Sequence, residues 1–180
     1  MSLALIIIDI QNFYFGESGL DGSIEASLNA KRLLLHFREK GLPVFHVQHI
    51  QDDTSKMTEE EKTVAKIHQN VEPIEGEPVI KKQTPGSFNG TNLLEKLQEK
   101  EVDELVICGM MSNMCVDTTT REAFDLGFKC SVIHDACATK SYSFNGKEVP
   151  SDYVHTAAMA SLAFAFAKVI SVDEFLSCEF

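Results

Sequence analysis

The length, composition and charge of the chain restrict its fold and its partners. It has 180 residues, of which 44% are hydrophobic, enough for one well-buried domain over residues 1–180 but short for two. Its net charge of -11 disfavours nucleic acid and anionic membranes, because their phosphates would be repelled, and the sequence contains no basic cluster to offset this. We therefore expect no nucleic-acid partner and no membrane partner.

Apolar runs of strand length alternate with helical patterns along the chain. The predicted strands are residues 3–8, 43–49, 77–80, 104–108, 129–134 and 168–171, and the predicted helices are 25–40, 92–100, 115–126 and 151–167. This alternation predicts an α/β fold of three layers, α-β-α, around a central, mostly parallel six-stranded sheet. Residues 50–71 are polar and charged, which fits a loose lid with a short helix but favours a solvated surface insertion.

The cysteines predict a reducing compartment. Their number is odd, they lie mostly in apolar strand patterns, and no C-x-x-C pair occurs; they are Cys108, Cys115, Cys130, Cys137 and Cys178. The apolar run of residues 1–8 lacks a basic region before it and is too short for a signal or membrane segment. We expect a soluble, cytoplasmic protein.

Three of the predicted strands end in side chains of complementary chemistry. Asp9 follows the first strand, Lys81 and Lys82 end the third, and Cys115 lies at the turn from the fourth strand to a helix. Each has an ordinary interpretation, as a turn cap, a solvated pair and a buried small hydrophobe respectively. Because parallel strands end at one edge of a sheet, the set instead favours a base, a cation and a nucleophile in one site.

These residues lie in motifs that resemble those of the isochorismatase-like cysteine hydrolase superfamily over nearly the whole chain. In family order, the motifs are Asp9-Ile-Gln11-Asn12, Lys82 six residues before the phenylalanine of Ser87-Phe88-Asn-Gly90-Thr91, Gly109-Met-Met-Ser112-Asn-Met-Cys115-Val-Asp-Thr-Thr119, Ala123 to Gly127, and Asp135-Ala136. Both this spacing and strand alternation select Lys82 over Lys81. The chain departs from the family at Gly86, where relatives usually carry a side chain, and we expect a looser loop there.

The resemblance and the residue types imply a hydrolase acting on carbon–nitrogen bonds other than peptide bonds. Asp9 would take the proton of Cys115, the thiolate would attack an amide or carbamoyl carbonyl, and water would hydrolyse the resulting thioester. Lys82 and the helix N-terminus are expected to lower the pKa of Cys115. The resemblance further implies an oxyanion hole from the backbone amides of Met111 and Cys115, beside a cis peptide between Met110 and Met111.

Other functions remain open at this point. The same fold also suits isochorismatase-type hydrolysis of a vinyl ether, although that reaction needs no thiol. A non-catalytic or redox-active thiol protein is a further alternative. A papain-like triad of Cys115 with His134 and Asp135 is weaker, because it leaves Asp9 and Lys82 unexplained.

Residues near the motifs are candidates for substrate binding. They are Gln11, Phe15, Phe88, Ser112, Asn113 and Tyr142. Aromatic side chains after the predicted strands, including Phe13 and Tyr14, fit the apolar walls of a pocket for a small planar amide. Every arginine falls in a predicted helix away from the motifs, which favours a neutral or weakly charged substrate.

We expect no metal ion and no other cofactor. Some nicotinamidases of the superfamily bind zinc or iron through an Asp-x-His pair just after the second strand. This chain has His49 followed by Asp52 and Asp53, so that order is missing, and a site formed by His49 and Asp52 remains only an alternative. We expect His68, His134 and His155 to serve the structure.

The last long helical pattern predicts a homo-oligomer. Residues 154–167 are apolar almost all round, more than a helix with one face on a sheet requires. A second copy of the chain would cover the other face, giving a dimer or tetramer, as the resemblance also implies. The alternative is that loops and the acidic residues 59–61 cover this face within one chain. The sequence does not indicate the physiological substrate or the exact oligomeric state.

Overall fold

The computed structural model describes residues 2–50 and 58–177, and a parallel sheet forms its centre. The strands are β1 (Leu3–Ile8), β2 (Val44–His49), β3 (Val79–Lys82), β4 (Glu104–Met110), β5 (Lys129–Ala138), β6 (Tyr142–Phe144), β7 (Lys147–Val149) and β8 (Lys168–Ile170). The helices are α1 (Ser23–Glu39), α2 (Glu59–Val64), α3 (Leu93–Glu99), α4 (Asp117–Asp125), α5 (Ser151–Ala165) and α6 (Val172–Ser177). Asp52, Asp53 and Cys178 lie outside the described residues.

The sheet has the order β3-β2-β1-β4-β5-β8, and each pair of neighbours is parallel. The predicted α-β-α fold with six central strands is therefore confirmed. The chain adds β2 and β3 on one side of β1 and then β4, β5 and β8 on the other. The switch in direction lies between β1 and β4, where open sheets of this kind form a crevice at the carboxyl ends of their strands.

The burial pattern explains why these segments take these positions. All six side chains of β1 are buried although they alternate between the two faces of the sheet, so helices must cover both faces. On α1, the buried residues include Ala26, Ala30, Leu33 and Phe37, whose spacing of three to four places them on one stripe of the helix. α1 packs with α6, and α4 packs with α5.

Two elements of the fold were missed although the sequence carries signals for them. β6 and β7 form an antiparallel hairpin whose turn is Asn145-Gly146, both with positive φ, the strongest short hairpin signal. α6 begins after Ser171, whose hydroxyl accepts a hydrogen bond from the amide of Glu174 while the Glu174 carboxylate accepts one from the amide of Ser171. This is a capping box.

β5 is longer than predicted because its pairing with β4 changes register. Ile107 pairs with Val132, whereas Gly109 pairs with Cys137, so the intervening residues of β5 bulge out of the ladder. The strand then continues to Ala138 and brings the following hairpin to the edge of the sheet where β4 ends.

In its described part, the charged insertion includes the short helix α2, which has no buried side chain and whose N-cap Thr58 forms a capping box with Glu61. The residues after α2 return to the end of β1, where the amide of Asn12 donates to the carbonyl of Lys66 (3.0 Å). Whether the insertion acts as a lid stays a prediction. None of the helices in the described residues is long and apolar enough to cross a membrane.

Candidate active site

The three predicted catalytic side chains meet at the crevice beside β1. Asp9 directly follows β1, Lys82 is the last residue of β3, and Cys115 follows β4. Lys82 extends past the end of β2, and its Nζ lies 2.7 Å from Oδ2 of Asp9. All three side chains are buried, and Lys81 on the opposite face of β3 is exposed. The register that selected Lys82 therefore agrees with the structure.

The ammonium group of Lys82 has close partners besides Asp9 and the Cys115 thiol. They are the carbonyl of Thr84 at 2.9 Å and Nδ1 of His49 at 3.5 Å. Both carboxylate oxygens of Asp9 are buried, and the ammonium lies within hydrogen-bonding distance of one of them. The contact is therefore an ion pair, whose charge attraction offsets part of the cost of burying both groups.

Asp9 has an unusual backbone and an unusual pKa. Its φ of 50° lies in the left-handed region, which a non-glycine residue adopts only at a cost of about 1 kcal/mol or more. Burial raises the pKa of Asp9 above its ordinary 3.8, and Lys82 and the Cys115 thiol oppose the rise. A carboxylate with a raised pKa is a better base toward a thiol than an ordinary aspartate.

The expectation of a lowered thiol pKa is wrong for this site. Burial and the negative charge of Asp9 raise the pKa of Cys115 to about 11, although Lys82 opposes them. Cys115 also does not begin the α-helix, because it lies in a π-helical turn, Ser112–Val116, that precedes α4. At neutral pH the thiol is therefore protonated, so its proton must pass to a base as sulfur attacks the substrate.

The turn that carries Cys115 follows a close approach of β4 to its parallel neighbour β1. A side chain at Gly109, whose φ is 138°, would collide with the carbonyl of Ile8 on β1. The peptide between Met110 and Met111 is cis, as the resemblance implies. The carbonyl of Met111 then accepts hydrogen bonds from the amides of Met114 (3.1 Å) and Val116 (3.2 Å). The predicted oxyanion amides, those of Met111 and Cys115, thus border the same turn.

Two side chains on this turn, both predicted to bind substrate, bond to the protein itself. The hydroxyl of Ser112 lies 2.8 Å from Nδ1 of His155 on α5. Oδ1 of Asn113 accepts a hydrogen bond of 2.6 Å from the hydroxyl of Thr139. These bonds tie the turn to α5 and to the chain after β5, which gives Ser112 and Asn113 a supporting position beside Cys115.

Gln11 is fully engaged beneath the site. Its Nε2 donates to the carbonyls of His49 (3.0 Å) and Ala65 (2.6 Å), and its Oε1 accepts from the amide of His49 (2.9 Å). The side chain is completely buried. The structure therefore makes Gln11 a support for the end of β2, with no free polar atom for a substrate.

The predicted aromatic contacts fall in different places. Phe15 stacks on His68 with 3.8 Å between the ring centroids, and Phe88 stacks on Phe128 with 6.1 Å, on the side of α4 and β5. The hydroxyl of Tyr142 lies 3.8 Å from Sδ of Met111 and so stays near the Cys115 turn.

Two residues at the site were named in the sequence in other roles, Tyr14 as an apolar wall of the pocket and His49 as an alternative metal ligand. Burial, and the nearby charges of Cys115 and Asp9, raise the pKa of Tyr14 far above its usual value, so its hydroxyl stays neutral close to the triad. His49 is the register partner of Lys82. Its position at the end of a predicted strand was a signal that it shares the edge with Lys82.

The departure at Gly86 has a compensating side chain. A Cβ built at Gly86 would collide with the carboxylate of Glu122 on α4, which also accepts a hydrogen bond from the amide of Phe88 (3.4 Å). The hydroxyl of Ser87 lies 2.7 Å from that of Thr119 on the same helix. Glu122 fills the space that a side chain at position 86 would take, so the loop is held instead of loosened.

His134 and Asp135 do not complete a triad with Cys115. They lie in the bulged part of β5 and line a separate cavity of 320 Å³, and Oδ1 of Asp135 accepts a hydrogen bond from the amide of Val172. Within residues 2–50 and 58–177, no group of three or more His, Cys, Asp or Glu side chains is arranged to hold a metal ion.

Comparison with known proteins agrees with these motifs. The isochorismatase domain family matches residues 3–174. The isochorismatase family protein YddQ of Bacillus subtilis is 46% identical over 179 residues, 98% of this chain and 99% of YddQ. Streptothricin hydrolase of Streptomyces noursei is 33% identical over 166 residues, 91% of this chain and 58% of that protein. A crystal structure from Oleispira antarctica, described as an isochorismatase hydrolase, has a TM-score of 0.92 at 42% identity and covers 98% of this chain and 97% of its own.

Proposed function

Because this chain belongs to the isochorismatase family of hydrolases, we propose that it cleaves the carbon–nitrogen bond of a small amide or carbamoyl compound with Cys115 as nucleophile. One observation carries the proposal: the buried Lys82–Asp9 ion pair, 2.7 Å long, lies against the thiol. A buried charge pair costs desolvation energy and is weak evidence for stability, so its position beside a nucleophile favours a catalytic role.

The reaction follows from the protonation states of the resting site. As Sγ of Cys115 attacks the carbonyl carbon, Asp9 takes the thiol proton, and Lys82 stabilises the negative charge shared between carboxylate and sulfur. The amides of Met111 and Cys115 would bind the oxyanion. Asp9 returns the proton to the leaving nitrogen, the C–N bond breaks, and a thioester remains. Water then attacks the thioester while Asp9 accepts its proton, the C–S bond breaks to release the acid, and Asp9 returns the proton to sulfur to restore the thiol.

The charges around the site support a neutral or weakly charged substrate. Every arginine of the chain is paired elsewhere, Arg32 with Asp173, Arg38 with Glu77 and Arg121 with Asp117. Lys82 is occupied by Asp9. A strongly anionic substrate would therefore find no free guanidinium in the described residues near Cys115.

The test is ammonia release from a panel of small amides by the wild-type protein and by Cys115→Ser and Cys115→Ala. We expect both variants to lose several orders of magnitude, since the covalent route is removed. Cys130→Ala is the matched control, because Cys130 is buried on β5, where its Sγ lies 3.9 Å from the carbonyl of Thr120. Activity of either Cys115 variant within about tenfold of wild type would contradict the proposal.

A second measurement tests the nucleophile without a substrate. Substoichiometric iodoacetamide should label Cys115 before Cys108, Cys130 and Cys137, because the Asp9 carboxylate and the Lys82 ammonium lie against its thiol, where they can take its proton and stabilise the thiolate. The experiment is done in a Cys178→Ser background, since Cys178 lies outside the described residues. A non-catalytic or redox thiol protein of this fold would instead release no ammonia from any amide. A vinyl-ether hydrolase would release none either, since it cleaves a carbon–oxygen bond.

We also propose a cytoplasmic homo-oligomer, a dimer or tetramer, whose subunits are single domains of residues 1–180. The support is the outer face of α5. Phe164 is 91% exposed and Tyr153 67% exposed, with Ala157 and Ala160 between them. Exposed aromatic and small residues on one helix face are typical of a surface that a second copy covers.

A further inference from the structure

A histidine on α5 reaches the turn that carries Cys115. His155 lies on the same stripe of the helix as its buried residues, three, four and seven positions further on, which are Ala158, Met159 and Leu162. This stripe of α5 packs against the turn. Nδ1 of His155 lies 2.8 Å from the hydroxyl of Ser112, the first residue of the turn. A side chain distant in sequence is therefore bonded to the segment that holds the nucleophile.

The bond between His155 and Ser112 joins two neutral groups. Ser112 is completely buried, and His155 is partly buried. Burial and the nearby His134 lower the pKa of His155, so its imidazole is neutral at pH 7. A hydroxyl and a neutral imidazole nitrogen can pair in either tautomer, because the hydroxyl both donates and accepts. Since a buried hydroxyl without a partner is unfavourable, the position of Ser112 is tied to that of His155.

Ser112 lies between the two amides that are expected to bind the oxyanion. It directly follows Met111, and Cys115 is three residues further on. Its carbonyl accepts a hydrogen bond from the amide of Asp117 at the start of α4, and its hydroxyl is bonded to α5 through His155. These two bonds fix the backbone between the expected oxyanion amides.

The rate of a reaction at such a turn depends on how well its groups are placed beforehand. Amides stabilise an oxyanion most when they are already fixed where the charge develops. Sγ of Cys115 must also face the Asp9 carboxylate to lose its proton. A displacement of about 1 Å can lower a rate roughly a hundredfold. A side chain that fixes Ser112 therefore affects the rate, although it acts from behind the turn.

We propose that His155 is a positioning residue of the hydrolysis, which acts through the Ser112 hydroxyl to hold the Cys115 turn in its reactive geometry. This inference rests on the proposed function, because it concerns the rate of that reaction at the same site. It goes beyond the structural role that the sequence predicts for His155. The bond favours the bond-making steps more than substrate binding, so its loss lowers kcat and leaves KM nearly unchanged.

Two substitutions at position 155 separate the hydrogen bond from the packing of the helix. In His155→Asn, the side-chain amide places a polar atom where Nδ1 lies, so the bond to Ser112 is kept. In His155→Leu, a methyl group takes that place, so the helix face stays covered but the bond is lost. Ser112→Ala removes the same bond from its other end. His134→Leu is the matched control, because His134 lines the same cavity as His155 but lies on β5.

The first measurement needs no substrate. The rate constant for alkylation of Cys115 by iodoacetamide at pH 7 is followed in each variant by mass spectrometry of the Cys115 peptide. It should fall roughly three- to tenfold in His155→Leu and in Ser112→Ala, the effect of one hydrogen bond. It should stay near the wild-type value in His155→Asn and in His134→Leu. The double variant His155→Leu with Ser112→Ala should be no slower than the slower single variant, because the same bond is lost in all three.

The kinetics of the most active amide of the panel provide the second measurement. The kcat of His155→Leu and of Ser112→Ala should fall about ten- to a hundredfold while KM stays within about twofold, and His155→Asn should restore most of kcat. If the wild-type protein cleaves no amide, the proposed function fails, and the alkylation series alone decides on His155.

Urea denaturation establishes that each variant is folded, and Ser112→Ala, the smaller change, decides if His155→Leu does not fold. Alkylation of the folded variants at the wild-type rate would overturn the inference. An equal fall in His155→Asn and His155→Leu would also overturn it, since packing and not the hydrogen bond would then be responsible. So would effects of the two single variants that multiply in the double variant.

Discussion

Replacing Lys82 by methionine should destabilise the protein through the charge that it leaves behind. Methionine keeps most of the apolar stem, so little packing is lost. Asp9, however, is fully buried and would have no cation beside it. Removing one partner of a buried ion pair typically costs about 3–5 kcal/mol. The same change should strongly impair activity, because the thiol and the carboxylate lose their shared cation.

The loss of stability in Lys82→Met has an upper limit, because Asp9 becomes neutral when it binds a proton. At about 1.4 kcal/mol per pH unit, holding this carboxyl protonated at pH 7, roughly three units above its ordinary pKa of 3.8, costs about 4 kcal/mol. Without Lys82, which lowers the pKa of Asp9, that pKa rises further in the folded state. A raised folded pKa gives stability that is present in acid and is lost as pH rises through it. The deficit of the variant should therefore shrink below pH 7.

The assay is urea denaturation followed by circular dichroism between pH 5 and 8, since the chain has no tryptophan for fluorescence. Lys81→Met is the control, because Lys81 is exposed on the other face of β3, and it should stay within about 0.5 kcal/mol of wild type. The double variant Asp9→Asn with Lys82→Met should recover stability and lose the pH dependence. A Lys82→Met protein within about 1 kcal/mol of wild type at pH 7, or with a loss that does not change with pH, would refute the reasoning.

Four further outcomes are expected. The kcat/KM for a non-ionising amide should fall in acid with a midpoint above 3.8, because Asp9 must be ionised and its pKa is raised. The profile should show no step near the pKa of free thiols, since such a step would place a thiolate in the resting site. Glu77→Gln should lower the free energy of unfolding by about 1–3 kcal/mol at pH 7. Burial raises the pKa of Glu77, but its guanidinium and backbone partners outweigh burial and hold that pKa at about 2. This stability is present above pH 4.5 and is lost toward pH 2, so a deficit of the variant that persists in acid would contradict the prediction. Light scattering should give the wild-type protein a mass that is a multiple of 20.0 kDa, and the double variant Ala160→Glu with Phe164→Glu the monomer mass. A wild-type mass of 20.0 kDa would exclude the oligomer. Dialysis against a chelator should leave activity intact, because the Asp-x-His pair is missing from the sequence; a loss that zinc restores would show the opposite.

Local patterns in the sequence were enough to determine the fold class. The strand and helix periods depend on neighbouring residues alone, and the rule that parallel strands end at one edge then brings Asp9, Lys82 and Cys115 together. Strand alternation also separates Lys82 from Lys81. The hairpin at Asn145-Gly146 could have been predicted in the same way, because its turn signal is local.

Only the tertiary structure decided the protonation and bonding of the site. The raised pKa of the Cys115 thiol comes from burial and from the charge of Asp9, which is distant in sequence. The polar atoms of Gln11 bond the backbone of His49 and Ala65, which are distant from it in sequence. Desolvation and long-range hydrogen bonds exist only once the chain has packed, and a one-dimensional pattern carries no record of them.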